Sequence, residues 1–412
     1  MWRNHPGKVF TALVLCAATF AAGGCGSTKG AAVAKEAASS KLEAASEAET
    51  NPAGAASSVS AQLSQKVGIS LPSKDSARWA LDGSYLTSQF KKAGYKTDIA
   101  YAKDGGEQVA GLESMLEEGV SLLIVAPVDG AGLMDVLQKA KEAGVPVIAY
   151  DRLIMNTDAV DYYVSFDNYK VGSLTAEYVI DALSIEEATS DQPVNIEFAS
   201  GSTADNNSQF YFNGAYDALK PYLDQGTVAI PSGQDTLEET ATADWAGDTA
   251  RKRFEDLLGQ YYMDGTKLDA VLCADDALAL GVTDALEAIY AGSNQVLITG
   301  QDGDEENLAN IIDGKQAMTV YKAVADEALV AFTLGQNLLK GLTPDQDLAD
   351  KSGWDFSCSY DVETYQNGKE TVPSYLLVPV VVTKDNLKKE LVNTGYYTLD
   401  DSGYPQAVGR SR

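Results

Sequence analysis

Histidine is almost missing from this chain. The single copy, His5, lies near the start of 412 residues, in a stretch read below as a removed leader. Without histidine the remaining chain cannot build a Ser-His-Asp triad, a histidine-based zinc site or a histidine general base. The sequence also lacks the GxSxG, GxxxxGK[ST] and GxGxxG patterns, so a serine hydrolase, a P-loop nucleotide site and a dinucleotide fold have no support. No cofactor and no metal is expected. Asp302-Gly303-Asp304-Glu305-Glu306 has calcium-like composition without the spacing of a calcium loop, and reads instead as a capped helix start. Positive charge is scarce: 31 basic against 59 acidic residues give a formal charge of −28. Such a surface repels nucleic acid and anionic headgroups. Carboxylate-only chemistry of the glycosidase type stays open on composition alone.

Cysteine is also rare, with four copies at 16, 25, 273 and 358. Arg3 and Lys8 precede an uncharged apolar run over 9–22, and Gly23-Gly24-Cys25 follows. A positive start, a short apolar core and small residues before the cut form a secretory signal too short for a stable membrane span. A cysteine at the cut resembles a bacterial lipoprotein signal, with Cys25 the lipidated first residue, although Ala22 stands where a larger aliphatic is usual. Residues 26–64 are nearly all Ala, Ser, Gly, Lys, Glu and Thr and cannot bury enough apolar area to order themselves, so they read as a tether. Cleavage leaves Cys273 in a buried-looking strand and Cys358 in a polar loop; a disulfide between them is left open.

From residue 65 onward, short apolar runs alternate with helical periods. Strands are predicted at 67–71, 97–101, 121–126, 145–150, 162–166, 194–199, 226–230, 269–274, 295–300 and 316–321. Helices are predicted at 76–93, 106–118, 131–143, 168–183, 207–222, 246–260, 276–291 and 322–340. Gly94, Gly119 and Gly144 stand where left-handed helix caps are favoured. This alternation implies an α/β fold with parallel sheets covered by helices on both faces. The length suits two domains. A polar stretch at 344–375 breaks the rhythm before a last strand at 375–382.

Almost every predicted strand ends in a side chain that grips hydroxyl groups. These are Arg78-Trp79, Asp151-Arg152, Asp205-Asn206-Asn207, Asp275-Asp276, Gln301-Asp302 and Lys322. Ligands of open parallel sheets bind outside the carboxyl ends of the strands, so these groups should converge. Indoles cover the C–H faces of a sugar, while Asp, Asn and Arg match its neighbouring hydroxyls two at a time.

Ser-Ala-Arg-Trp (76–79), Val-Ile-Ala-Tyr-Asp-Arg-Leu-Ile (147–154), Ser-Phe-Asp-Asn (165–168), Asp-Asn-Asn (205–207), Gly-Gln-Asp (300–302), Val-Tyr-Lys (320–322) and Val-Pro-Ser-Tyr-Leu-Leu (372–377) occur in this order. Together they resemble the periplasmic sugar-binding proteins of ABC importers, in particular the xylose-binding and multiple-sugar-binding subgroup. The resemblance spans about 67–397. It implies a type I periplasmic binding protein: two Rossmann-like lobes joined by a three-strand hinge and closing on one sugar. The implied division is a signal peptide (1–24), lipidated cysteine and tether (25–64), first lobe (65–167 plus 302–350), second lobe (168–301 plus 351–400) and tail (401–412), with crossings near Asp167, Gly300 and Lys369.

Carried over residue by residue, the resemblance implies ligand contacts from Arg78, Trp79, Asp151, Arg152, Asp205, Asn207, Trp245, Asp276, Asp302 and Lys322. Cys-Ala-Asp-Asp (273–276), Ser-Thr-Ala (202–204), a longer 344–368 segment and an added Gly-Tyr-Pro-Gln tail depart from the pattern. The expected function is a monomeric, lipid-anchored receptor on the outer face of the cytoplasmic membrane. It would hand a monosaccharide (xylose, glucose, galactose or a similar aldose) to an ABC permease and do no chemistry on it. Arg152 leaves an acid sugar open. The alternatives are a sugar-sensing receptor that signals, or a secreted carboxylate glycosidase. A DNA-binding repressor of the same fold would need a headpiece where the signal and tether stand.

Overall fold

The computed structural model describes residues 65–74 and 77–408. The expected signal, the Cys25 lipidation site and the tether lie outside the described residues. Sixteen strands are described: β1 Lys66–Pro72, β2 Lys96–Ala102, β3 Leu122–Val125, β4 Val147–Tyr150, β5 Tyr162–Phe166, β6 Val194–Ala199, β7 Val228–Ala229, β8 Ala270–Cys273, β9 Leu297–Ile298, β10 Gln301–Asp302, β11 Met318–Tyr321, β12 Cys358–Asp361, β13 Ser374–Leu377, β14 Val380–Thr383, β15 Tyr397–Leu399 and β16 Pro405–Ala407.

The first lobe is built on a seven-stranded sheet, ordered β12-β13-β5-β4-β3-β1-β2. Every pairing in it is parallel except β12 with β13. Strands β3, β4 and β5 are buried along their whole length, as expected for parallel strands with helices on both faces. The glycines at 94, 119 and 144 take φ of 89°, 74° and 69°, ending their helices in the left-handed region that a Cβ disfavours. The second lobe holds the parallel sheet β7-β6-β8-β9 and the small sheet β10-β11-β14. Its helices Asn168–Ala182 and Asn206–Gln225 touch through Gly172 and Gly214, where an added Cβ would lie 2.0 Å from a carbonyl oxygen of the facing helix.

The chain leaves the first lobe at Asp167, between β5 and the helix Asn168–Ala182. Two expected boundaries are corrected. Residues 302–321 belong with the second lobe rather than the first: Met318 and Val320 are fully buried beside Val271 and Cys273, and β11 pairs with β10 and β14. The return crossing is therefore at Lys322–Ala323, after which the helix Val324–Leu339 packs its Ala328, Ala331 and Leu334 into the first core. Residues 358–377 belong with the first sheet rather than the second lobe, because β13 pairs with β5 and β12 with β13. The third crossing then lies between Leu377 and Val380. The long 344–368 segment thus extends the sheet edge, where Tyr360 packs on Tyr375 at 5.1 Å. Cys273 and Cys358 are both free thiols. Among the described residues no helix is long and apolar enough to cross a membrane.

Candidate functional site

A cavity of about 470 Å³ opens at the carboxyl ends of both sheets, within the range of about 300–1,000 Å³ common to small-molecule sites. Its first wall carries Arg78, Trp79, Asp151 and Arg152; the opposite wall carries Asp205, Asn207, Asp244, Trp245, Asp275, Gln301, Asp302 and Asp304, with Lys322 at the crossing. Nine of the ten residues expected from the sequence line it. Asp276 does not.

Arg78 sits in the first turn of the helix Ala77–Lys92, directly after β1. A cation there opposes the helix dipole, and carboxylates surround it. Its Nη2 donates to Asp151 and stands 3.4 Å from Glu327, its Nη1 donates to Asp302 at 3.2 Å, and its Nε faces Asp82 at 3.5 Å. Burial alone would lower the Arg78 pKa, but Asp151, Asp302, Asp82 and Glu327 outweigh it and hold it well above the ordinary value. Burial likewise pushes Asp151 up, and Arg78, Lys322 and Arg152 reverse this and hold it below the usual carboxylate range. Trp79 is buried, with the Arg78 and Arg152 guanidinium carbons 5.1 and 5.2 Å from its ring centre. It thus holds both cations by cation–π attraction as well as lining the cavity.

Asp151 takes a left-handed φ of 58°. The strained turn is fixed by three donors to its carbonyl oxygen: Tyr163 Oη at 2.7 Å, Ser165 Oγ at 2.8 Å and Asn207 Nδ2 at 2.9 Å. Of the six described non-glycine residues with positive φ, four line this cavity: Asp151, Asp244, Trp245 and Asp302. Backbone strain of this kind persists where the surroundings over-determine it, and it gathers at functional sites. Trp245 fits because Gly201 has no side chain; a Cβ there would meet the indole at 2.1 Å. The Trp245 indole nitrogen is buried with no hydrogen-bond partner among the described residues.

Carboxylates of the second wall stand at helix starts. Asp205 caps Asn206–Gln225 by accepting from the Asn207 amide at 3.0 Å, and Asp275 caps Asp276–Ile289 by accepting from the Leu278 amide at 2.7 Å. Asp205 also reaches across to Arg152 Nε at 2.9 Å. Burial pushes Asp205 up against the pull of Arg152, pushes Asp275 well up with Asp302 adding to it, and lifts Asp304 to about 6, again with Asp302 adding. Lys322 Nζ donates to Asn168 Oδ1 at 2.9 Å.

Asp276 is the correction among the expected contacts. It is fully buried and accepts from the amides of Gly303 and Asp304, both at 2.9 Å, from Gln316 Nε2 at 3.0 Å and from Thr319 Oγ1 at 3.2 Å. As the first helical residue it turns inward and braces the Gly303–Asp304 turn, while its neighbour Asp275, in extended conformation, faces the cavity. Gln301, named with Asp302 at its strand end but not among the expected contacts, lines the cavity too, and the sequence did not point to Asp244 and Asp304, nor to Asp82 and Glu327 behind Arg78. Asp244 beside Trp245, and Asp82 four residues after Arg78 on one helix, were the available signals. Among the described residues no group of three or more metal-ligating side chains is placed to hold a metal ion.

Two α/β lobes crossed three times by the chain, with a polar, indole-walled cavity between the strand ends, define a two-lobed solute-binding protein. The chain belongs to the periplasmic binding protein family, whose periplasmic binding protein domain matches residues 67–343. It is 41% identical over 338 residues, 81% of this chain and 91% of the other, to the multiple sugar-binding periplasmic receptor ChvE of Rhizobium radiobacter. It is 32% identical, over 81% of this chain and 91% of the other, to the D-xylose-binding periplasmic protein of Escherichia coli K12. An ABC transporter solute-binding protein from Clostridium phytofermentans, solved with bound β-D-glucose, superposes with a TM-score of 0.75 at 43% identity, covering 81% of this chain and 98% of that one.

Proposed function

We propose that this protein captures one neutral monosaccharide, an aldose such as glucose, xylose or galactose, and presents it to an ABC permease for import without altering it. One observation carries the reading: nine side chains expected from the sequence, scattered from residue 78 to residue 322, line a single cavity. It is supported by 43% identity to a solute-binding protein that holds β-D-glucose. Charge favours a neutral sugar over an acid one. Six aspartates line the cavity against Arg78, Arg152 and Lys322, and each of these cations already contacts protein acceptors. A ligand carboxylate would meet mostly like charge. The ligand contacts proposed are Arg78, Trp79, Asp151, Arg152, Asp205, Asn207, Trp245, Asp302 and Lys322. The unpaired Trp245 N–H supplies a donor, and each hydrogen bond to a charged group contributes about 1.5–3 kcal/mol net. Several together reach micromolar affinity, about −8 kcal/mol. A sugar touching both walls favours the closed arrangement of the lobes by its extra contacts there.

The same reading makes the protein a monomer held at the outer face of the cytoplasmic membrane through lipidated Cys25, with residues 26–64 as tether. The test is calorimetric titration with a panel of neutral aldoses, uronates and a disaccharide. Micromolar one-to-one binding of at least one neutral aldose, weak uronate binding and no disaccharide cleavage are expected; preferential uronate binding or cleavage products would overturn the reading.

A further inference from the structure

Arg78 faces two kinds of carboxylate. Asp151 and Asp302 line the cavity, whereas Asp82 and Glu327 do not and have fully buried side chains. Glu327 comes from the first turn of Val324–Leu339, the helix entered directly after the crossing at Lys322–Ala323, and its Oε2 lies 3.4 Å from Arg78 Nη2. Its other oxygen has no hydrogen-bond partner among the described residues. Asp82 accepts from Tyr150 Oη and faces Arg78 Nε at 3.5 Å.

Asp302 belongs to the second lobe, so the Arg78–Asp302 contact at 3.2 Å crosses the cleft. A guanidinium drawn only by cavity-lining carboxylates would move toward them, into the space a ligand needs. On the sugar-binding reading above, we propose that Glu327, with Asp82, is a positioning residue for ligand binding. The two hold the Arg78 guanidinium at the first wall, so that it touches Asp302 with Nη1 alone and does not move further across the cleft into the ligand's place. Neither touches the ligand; both act through Arg78. Glutamine matches the size of Glu327 and keeps an acceptor oxygen for Arg78 Nη2.

The test combines D-glucose titration with ligand-free crystal structures of Glu327→Ala and Glu327→Gln. Glu327→Ala is expected to weaken binding by about tenfold or more, with the guanidinium displaced away from the Glu327 side and further into the cavity beyond its present Nη1 contact with Asp302. Glu327→Gln is expected to keep affinity within about threefold and leave Arg78 in place. Wild-type affinity in the alanine variant, or weakened binding with Arg78 unmoved, overturns the proposal. If wild type binds no D-glucose, the sugar reading is what suffers, and the Arg78 position in the two ligand-free variants still decides this one. Should Glu327→Ala not fold, Asp82→Asn and Asp82→Ala take the same measurements with the same expectations.

Discussion

The two walls of the cavity solve opposite electrostatic problems. The second wall keeps carboxylates at helix N-termini, where the backbone dipole favours them: Asp205 and Asp275 are both caps, and Asp304 precedes Glu305–Asp313. The first wall puts a cation, Arg78, at a helix N-terminus with no acidic residue in that first turn. It therefore needs help from elsewhere, and receives it from Asp82 on the same helix, Asp151 at the end of β4, Glu327 just after the return crossing and Asp302 across the cleft. The second wall's Asp205 and Asp275 are partly satisfied by their own helix starts, with Asp205 also meeting Arg152 across the cleft, whereas Arg78 on the first wall is satisfied only when distant parts of the chain have come together. Ligand affinity and fold stability should accordingly be most entangled at the first wall.

The sharpest way to break this contrast is Arg78→Leu. Removing one partner of a buried ion pair costs about 3–5 kcal/mol because the remaining charges stay uncompensated, so a loss of that order is expected in denaturant unfolding. A surface-like loss well under 1 kcal/mol would show that the cage is not energetically real. Next come Arg152→Ala and Asp302→Ala, each expected to weaken sugar binding at least about tenfold, or 1.4 kcal/mol, with circular dichroism unchanged. Unchanged affinity in both would count heavily against the assigned cavity.

Asp82 supplies a pH test. Burial pushes it up to about 7, against the pull of Arg78, while Tyr150, Asp151 and Asp302 face it as well. In the unfolded chain an aspartate titrates near about 4. Between these values the folded state binds more protons, so stability present at low pH is lost as pH rises toward and through 7. Thermal melting is expected to fall between pH 5 and pH 8 (order-of-magnitude limits about the pKa), and Asp82→Asn to flatten part of that slope. A wild-type melting temperature that rises across the window would contradict the burial of a protonated carboxyl. The smallest effect belongs to Trp245→Phe, which keeps a ring and removes one donor; a neutral hydrogen bond contributes about 0.5–1.5 kcal/mol, so two- to tenfold weaker binding is expected by calorimetry.

Much of this is legible in the sequence alone. Buried parallel strands are continuous apolar runs, helix ends carry glycine, and strand ends carry most side chains of the cavity. Thus β1 to β5, their caps and lining residues such as Arg78, Asp151 and Asp302 follow from local pattern, whereas Trp245 comes only from the resemblance. What stayed hidden was what depends on partners far along the chain. Nothing local in Met-Thr-Val-Tyr (318–321) says which core it joins, and the resemblance put it in the wrong lobe. Asp275 and Asp276 are neighbours of identical chemistry, and only the cap geometry sends one to the cavity and the other to brace Gly303. Glu327 lies 249 residues from Arg78 in sequence, which leaves no local trace of their contact.

A crystal structure grown with saturating D-glucose addresses the two-walled clasp most directly. The expected result is one intact sugar between the walls, bonded to Arg152 from the first and to Asp302 from the second, with Trp245 against it. An empty cleft, or glucose seated elsewhere on the protein, would contradict it.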